Sequence, residues 1–453
     1  MRSWSCLLLI VISTSFFSVA DAQNQSYIST SNAIDDINFM IKNIEEIHYN
    51  PYFKTSKDEF QKNKTELISS FPNDSVSFRQ FIATGMKLAA QLSGGHTSLD
   101  WQNNAIFPEL MDHKFLPFTG RLTANDSTFI ISDSAEPNIK IGTKIISING
   151  VNIIDIYGEC MSYIGGIESY KKEYCTSAFP LYAYFTNLTE PPYQIVLEND
   201  TIISNGISVN QINEFLGDET LMQNYTFEII NDSIGLIKYN SCTEYDSFKV
   251  FLAETFSKLE EKKITKLIID ISKNPGGDSK LNDLLLSYIT KQPYRQSSGR
   301  FWKVSNQAKT AYKGNHYEDH FGTDFMNSYY NANPDSIIET VDEELTYPKS
   351  PRNSFEGKTC FIISPSTFSS ANFLADAIKT YNLSILIGSA TGELTNDFGE
   401  VISLRLPSSG NYFYVSSTYD IGANGNPTIF EPVYPDIKSD EPLKTAINWL
   451  NRE

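Results

Sequence analysis

Leu267-Ile268-Ile269-Asp270-Ile271-Ser272-Lys273-Asn274-Pro275-Gly276-Gly277 is the stretch from which the fold of this chain is read. The five opening residues are apolar except Asp270, too few for a stable helix and rich in β-branched side chains. They have the texture of a parallel strand covered on both faces. Asn-Pro-Gly-Gly then ends the strand in a turn that only glycines enter easily. Upstream, residues 234–239 form another strand. Phe248, Phe251, Leu252, Phe256 and Leu259 fall on one face of a helix. Downstream, residues 281–289 read as a helix. Cys360-Phe361-Ile362-Ile363 is a second buried strand, running through Thr367-Phe368-Ser369-Ser370 into a helix with Phe373, Leu374, Ala377 and Ile378 on one side. Strands alternating with helices over residues 225–453 predict an α/β domain.

Two textures precede it. Residues 31–92 are predicted helical: Ile34, Ile37, Met40, Ile41 and Ile44 recur at helical spacing, as do Phe81, Ile82, Met86, Leu88 and Leu92. Asn50-Pro51 breaks the first helix, and the last ends at Ser93-Gly94-Gly95-His96-Thr97. Residues 114–209 read as short strands and turns, a small β-rich module with an Asn149-Gly150 turn. A polar, aromatic stretch at residues 294–357 is too long for an ordinary loop and is expected to be a lid or an insertion. The resulting division is 1–22 signal peptide, 23–112 N-terminal helical domain, 113–215 β module and 225–453 α/β domain.

At 453 residues, 41% hydrophobic and 13% aromatic, the chain can fill more than one core. A net charge of −18 with no Lys/Arg-rich run excludes nucleic acid as an expected partner. Arg2, the mostly apolar residues 7–20 and Ala20-Asp21-Ala22 have the pattern of a cleavable signal. The apolar run is shorter than the ~20 residues of a membrane span. The mature protein is expected to be exported, periplasmic or extracellular, and soluble. Cys6 would leave with the signal. Cys160 and Cys175 could pair in an oxidising compartment, whereas Cys242 and Cys360 adjoin apolar runs and read as buried thiols. The cysteine spacing fits no zinc site, and no metal or other cofactor is expected.

Ser369 stands between a buried strand and a helix, where unpaired amides of Ser370 and Ala371 and the helix dipole favour a developing oxyanion. A helix cap is the plainer role for such a serine. The Gly276-Gly277 turn offers a second set of amides, or simply a tight turn. His96 is one of five histidines. It follows two glycines at a helix end and suits a general base, or is a structural histidine. His48, before Asn50-Pro51, reads as a helix terminator.

The strand with Asn274-Pro275-Gly276-Gly277, the Ser366-Thr367-Phe368-Ser369-Ser370-Ala371-Asn372 segment, Ile387-Gly388-Ser389-Ala390-Thr391-Gly392 and Leu406-Pro407-Ser408-Ser409-Gly410 together resemble the tail-specific and tricorn-type serine protease family. The resemblance implies a crotonase-like α/β protease core, a Ser369 nucleophile and oxyanion donors at Gly276, Gly277 and Ser370. It also implies that the β module is PDZ-like, with peptide or protein substrates held through their C-terminal tails. Classical members carry a lysine base after the Thr-Gly turn, where this chain has Glu393-Leu394-Thr395. The tricorn-like branch uses a histidine, matched by His96, and a late glutamate, for which Glu431 is the first match and Glu400 the second. Asn372 stands where relatives commonly have an acid. The expected function is an exported serine peptidase working through an acyl-enzyme. The alternative is a catalytically inactive protease-fold protein that binds peptides or apolar ligands.

Overall fold

A computed structural model describes residues 26–452 apart from positions 93, 124, 217–221 and 342–343, so the expected signal peptide lies outside the described residues. The central sheet has six strands in the order Tyr225–Ile230, Ile234–Tyr239, Lys266–Asp270, Lys358–Ile363, Ile385–Gly388, Ile437–Lys438. The first pair is antiparallel and every later pair is parallel. Alternate residues of one strand enter different cores. Leu267 and Ile269 pack with the helices Tyr245–Glu261, Lys280–Ile289 and Ser370–Tyr381, while Ile268 packs with Ala446 and Leu450 of Pro442–Leu450. Coverage on both faces is why this strand reads as apolar rather than alternating. The α/β expectation holds.

A second, antiparallel sheet runs Ile337–Val341, Ser297–Lys303, Tyr412–Gly422, Asp397–Arg405. The short strand Ser98–Leu99 pairs with it, Leu99 opposite Phe413 and Ser98 opposite Tyr414. That pairing carries the turn holding His96 into the C-terminal half.

Residues 294–357 supply, among the described residues, two strands of the second sheet and the helices Asn306–Gly314, Glu318–Phe321 and Thr323–Asn331. Buried Trp302, Tyr312 and Tyr329 share one core with Ile37, Met40 and Phe81 of the N-terminal helices. The aromatic richness that made the stretch look unusual is core packing against Thr30–Ile47 and Phe78–Gln91.

The module has a sheet ordered Phe118–Leu122, Phe129–Ser134, Lys144–Ile148, Tyr193–Leu197, Thr201–Ser204. It is less purely β than its sequence suggests, because Ile153–Met161, Glu168–Ser177 and Phe179–Thr186 are helices. Among the described residues no helix is long and apolar enough to cross a membrane.

Candidate active site

Two loops meet at the ends of the central strands. Asn274 accepts from the amide of Gly276 through Oδ1 at 2.9 Å and donates through Nδ2 to the carbonyl of Tyr239 at 3.0 Å, fixing the glycine turn. The Phe368 amide donates to the carbonyl of Asn274 at 3.0 Å, tying this turn to the serine loop. Gly276 has φ +100°, and a Cβ there would lie 2.6 Å from Cβ of Ser369. Glycine is required at this position by both conformation and space.

Ser369 itself has φ +52° and ψ −125°, and its side chain makes no capping bond to the helix that follows. A non-glycine residue so placed costs about 1–3 kcal/mol. The helix start therefore does not use its hydroxyl as a cap. The amide of Ser369 donates to Glu393 Oε2 at 2.6 Å. The other oxygen of the same carboxylate, Oε1, lies 3.1 Å from Nδ1 of His96, an ion-pair contact that is not aligned as a hydrogen bond. The His96 ring packs 4.7 Å from that of Phe368, the residue before Ser369. One carboxylate thus spans the serine backbone and the imidazole.

The predicted residues divide accordingly. Ser369, His96, Gly276, Gly277 and Ser370 come together. Among the described residues the amides of Gly277 and Ser370 have no acceptor, whereas that of Gly276 is taken by Asn274 and that of Ala371 by the Phe368 carbonyl. Of the candidate donors, those whose amides have no acceptor among the described residues are therefore Gly277 and Ser370. Ser370 also donates its hydroxyl to the Gly277 carbonyl at 2.6 Å, holding the two amides in one unit. Glu400 is a different matter: its carboxylate pairs with Arg300 at 2.6 Å, because Arg300 is buried between Glu400 and Asp420 and claims both. Glu431 is exposed and reaches the site through its backbone, its carbonyl accepting from the Thr395 amide at 2.9 Å. Neither is the carboxylate on His96; that residue is Glu393. Its signal lay in the departure already noted, an ionisable side chain directly after the Thr391-Gly392 turn.

Support for Glu393 comes from both sides of its loop. Asn372 donates to the Leu394 carbonyl at 2.8 Å, so the amide in place of an acid fastens this loop. Gly392 donates to the Thr367 carbonyl at 3.1 Å, and the Thr391 amide to that of Val433 at 3.1 Å. Burial tends to lower the pKa of His96, but the charge of Glu393 and its contact, then Asp397 and Asp420, outweigh it and raise the value above the usual 6.5. Burial, then the charge of Glu393, raises the Asp397 carboxyl well above its usual range. His48 caps the helix Thr30–Ile47 and is buried, which pushes its pKa down to about 3. Among the described residues no cluster of three His, Cys, Asp or Glu side chains is arranged to hold a metal.

Residues 233–439 match the model of Peptidase family S41. Among solved structures, a serine-to-alanine mutant of CPAF is similar at 13% identity over 93% of this chain and 96% of that chain, with a TM-score of 0.65. Mature CPAF complexed with lactacystin is similar at 13% identity over 93% and 97%, with a TM-score of 0.59. At this identity the likeness concerns the fold. A search of curated proteins gave no match.

Proposed function

We propose, this chain being a member of peptidase family S41 through its residues 233–439, that it is an exported serine peptidase acting through an acyl-enzyme on Ser369. His96 takes the Ser369 proton as the hydroxyl attacks a peptide carbonyl. Glu393 holds the imidazole and stabilises the imidazolium that forms. The oxyanion is received by the amides of Gly277 and Ser370, at the start of a helix whose dipole favours negative charge. Collapse of the tetrahedral species breaks the C–N bond, and His96 returns the proton to the leaving amine. Water, deprotonated by His96, then releases the acyl group and restores the serine. The observation that carries this reading is the Glu393 carboxylate, with one oxygen on the Ser369 amide and the other on His96.

The module at residues 113–215 serves in this proposal as a PDZ-like element that presents substrate chains, C-terminal tails included, to the site. Its helix Glu168–Ser177 lies beside the serine loop, with the Tyr170 ring stacked 4.6 Å from that of Phe368. Export rests on the N-terminal signal pattern.

Incubating the purified chain with an unfolded protein such as reduced, alkylated casein should yield peptides detectable by mass spectrometry. Intact casein after prolonged incubation with folded chain would instead favour the non-catalytic peptide binder.

A further inference from the structure

The residue before Ser369 is packed into the module. Among the described residues, Phe368 is the one member of the module's buried core that comes from outside residues 113–215. Its ring contacts His96 at 4.7 Å and Tyr170 at 4.6 Å, and Tyr170 in turn lies 4.7 Å from Tyr174 of the same helix. Tyr170 also meets the other two loops of the site. A Cβ on Gly392, the residue before Glu393, would lie 3.0 Å from Cδ2 of Tyr170, and one on Gly95, the residue before His96, 3.5 Å from its Cε1 and 2.7 Å from Cζ of Phe368. The turn that leads into the Tyr170 helix is seated as closely. A Cβ on Gly165 would lie 2.6 Å from the carbonyl oxygen of Gly94, and Lys54 Nζ donates to the Gly166 carbonyl at 2.6 Å. The loops bearing Ser369, His96 and Glu393 therefore share one neighbour, a tyrosine of the module.

We propose that Tyr170 is a positioning residue for the reaction, its ring setting the place of Phe368 and, through it, of Ser369 and His96. The proposal rests on the peptidase reading of the same site. Tyr170 touches no reacting atom and acts through packing alone. Ser369 holds a backbone conformation, φ +52°, that persists only where its surroundings impose it. Phe368, the adjacent residue, is held by the module on one hand and packs on the imidazole on the other, so the same ring fixes the serine backbone and limits the tilt of His96. Interiors this closely packed transmit small displacements rather than absorb them. Without the Tyr170 ring, Phe368 has space to move into the module, and the serine and imidazole lose their mutual placement.

The test compares variants of the full chain. Tyr170→Ala is expected to lower kcat on a fluorogenic peptide about 10²-fold, with KM changed by less than about threefold. Tyr170→Phe keeps the ring and is expected to hold kcat within about threefold of the parent. Tyr157→Leu is the control for lost stability: Tyr157 lies in the same core but packs on Phe129 and Phe179, so the thermal midpoint should fall while kcat stays. A second readout needs no turnover. The His96 Cε1–H resonance of histidine-labelled chain, assigned by its loss in His96→Gln, should move in Tyr170→Ala and stay in the other two. If the alanine variant does not fold, Tyr170→Leu takes its place with the same expected results. Unchanged kcat or an unmoved His96 resonance in Tyr170→Ala, or an equal loss of kcat in Tyr170→Phe or Tyr157→Leu, overturns the proposal. A parent that hydrolyses no peptide sinks the peptidase reading instead, and the resonance alone then decides whether Tyr170 places His96.

Discussion

Ser369→Ala is expected to reduce peptide hydrolysis by at least about 10⁴-fold, with circular dichroism and thermal midpoint essentially those of the parent. On the transition-state scale this is a loss of about 5.5 kcal/mol or more. The fold is expected to survive because the hydroxyl has no structural duty as a cap, while the amide that holds the loop to Glu393 is backbone and unaffected. Alanine is no harder to accommodate at φ +52° than serine. Residual hydrolysis would come from the Gly277 and Ser370 amides, which still bind an oxyanion when water attacks. Retention of full activity in this variant would remove the nucleophile from the account, and parallel kinetics on one fluorogenic peptide decide it.

Glu393→Gln is expected to lower kcat by about 10²–10⁴-fold and to move the acidic limb of the pH–rate profile to lower pH. The glutamine amide has one oxygen for two partners. If the oxygen keeps the Ser369 amide, the NH₂ faces Nδ1 of His96 and forces the ring proton onto Nε2, the wrong tautomer to receive a proton from serine. If the oxygen turns to His96, the Ser369 amide is faced by a donor. The sign of the pH shift follows from the ion pair. In the parent the Glu393 charge raises the His96 pKa above 6.5, so the base is released from its proton, and the rate rises, only above that pH. With the charge gone, burial and its lowering effect gain weight, and the limb moves down. A rate profile from pH 5 to 9 on both proteins checks this, and a limb at the same pH in parent and variant would separate Glu393 from His96.

Much of the architecture was legible from the residues. Leu267, Ile268 and Ile269 read as a doubly covered strand because each truly enters a core, on alternating sides. The serine and glycine turns were legible because strand–turn–helix junctions leave a strong local signature. What escaped depended on long-range packing. Residues 294–357 looked like an insertion since the partners of their aromatic side chains, such as Met40 and Phe81, lie more than 200 positions away. The helices of the module were hidden by polar and aromatic residues, as in Glu168–Ser177, without a clear apolar stripe. Glu393 was passed over for Glu431 and Glu400 because a family pattern fixes order along the chain, not which carboxylate ends at hydrogen-bonding distance. The Arg300 side chain that occupies Glu400 could not be foreseen from spacing at all.

The account's central claim is that folding places an imidazole from residue 96 and a hydroxyl from residue 369 in one catalytic unit. Reaction of the folded protein with a fluorophosphonate, followed by peptide mapping, tests it most directly. One adduct per chain on Ser369, and a labelling rate that falls sharply in His96→Ala, is the predicted result. A folded chain that takes up no adduct on Ser369, or that labels there equally fast without His96, would contradict it.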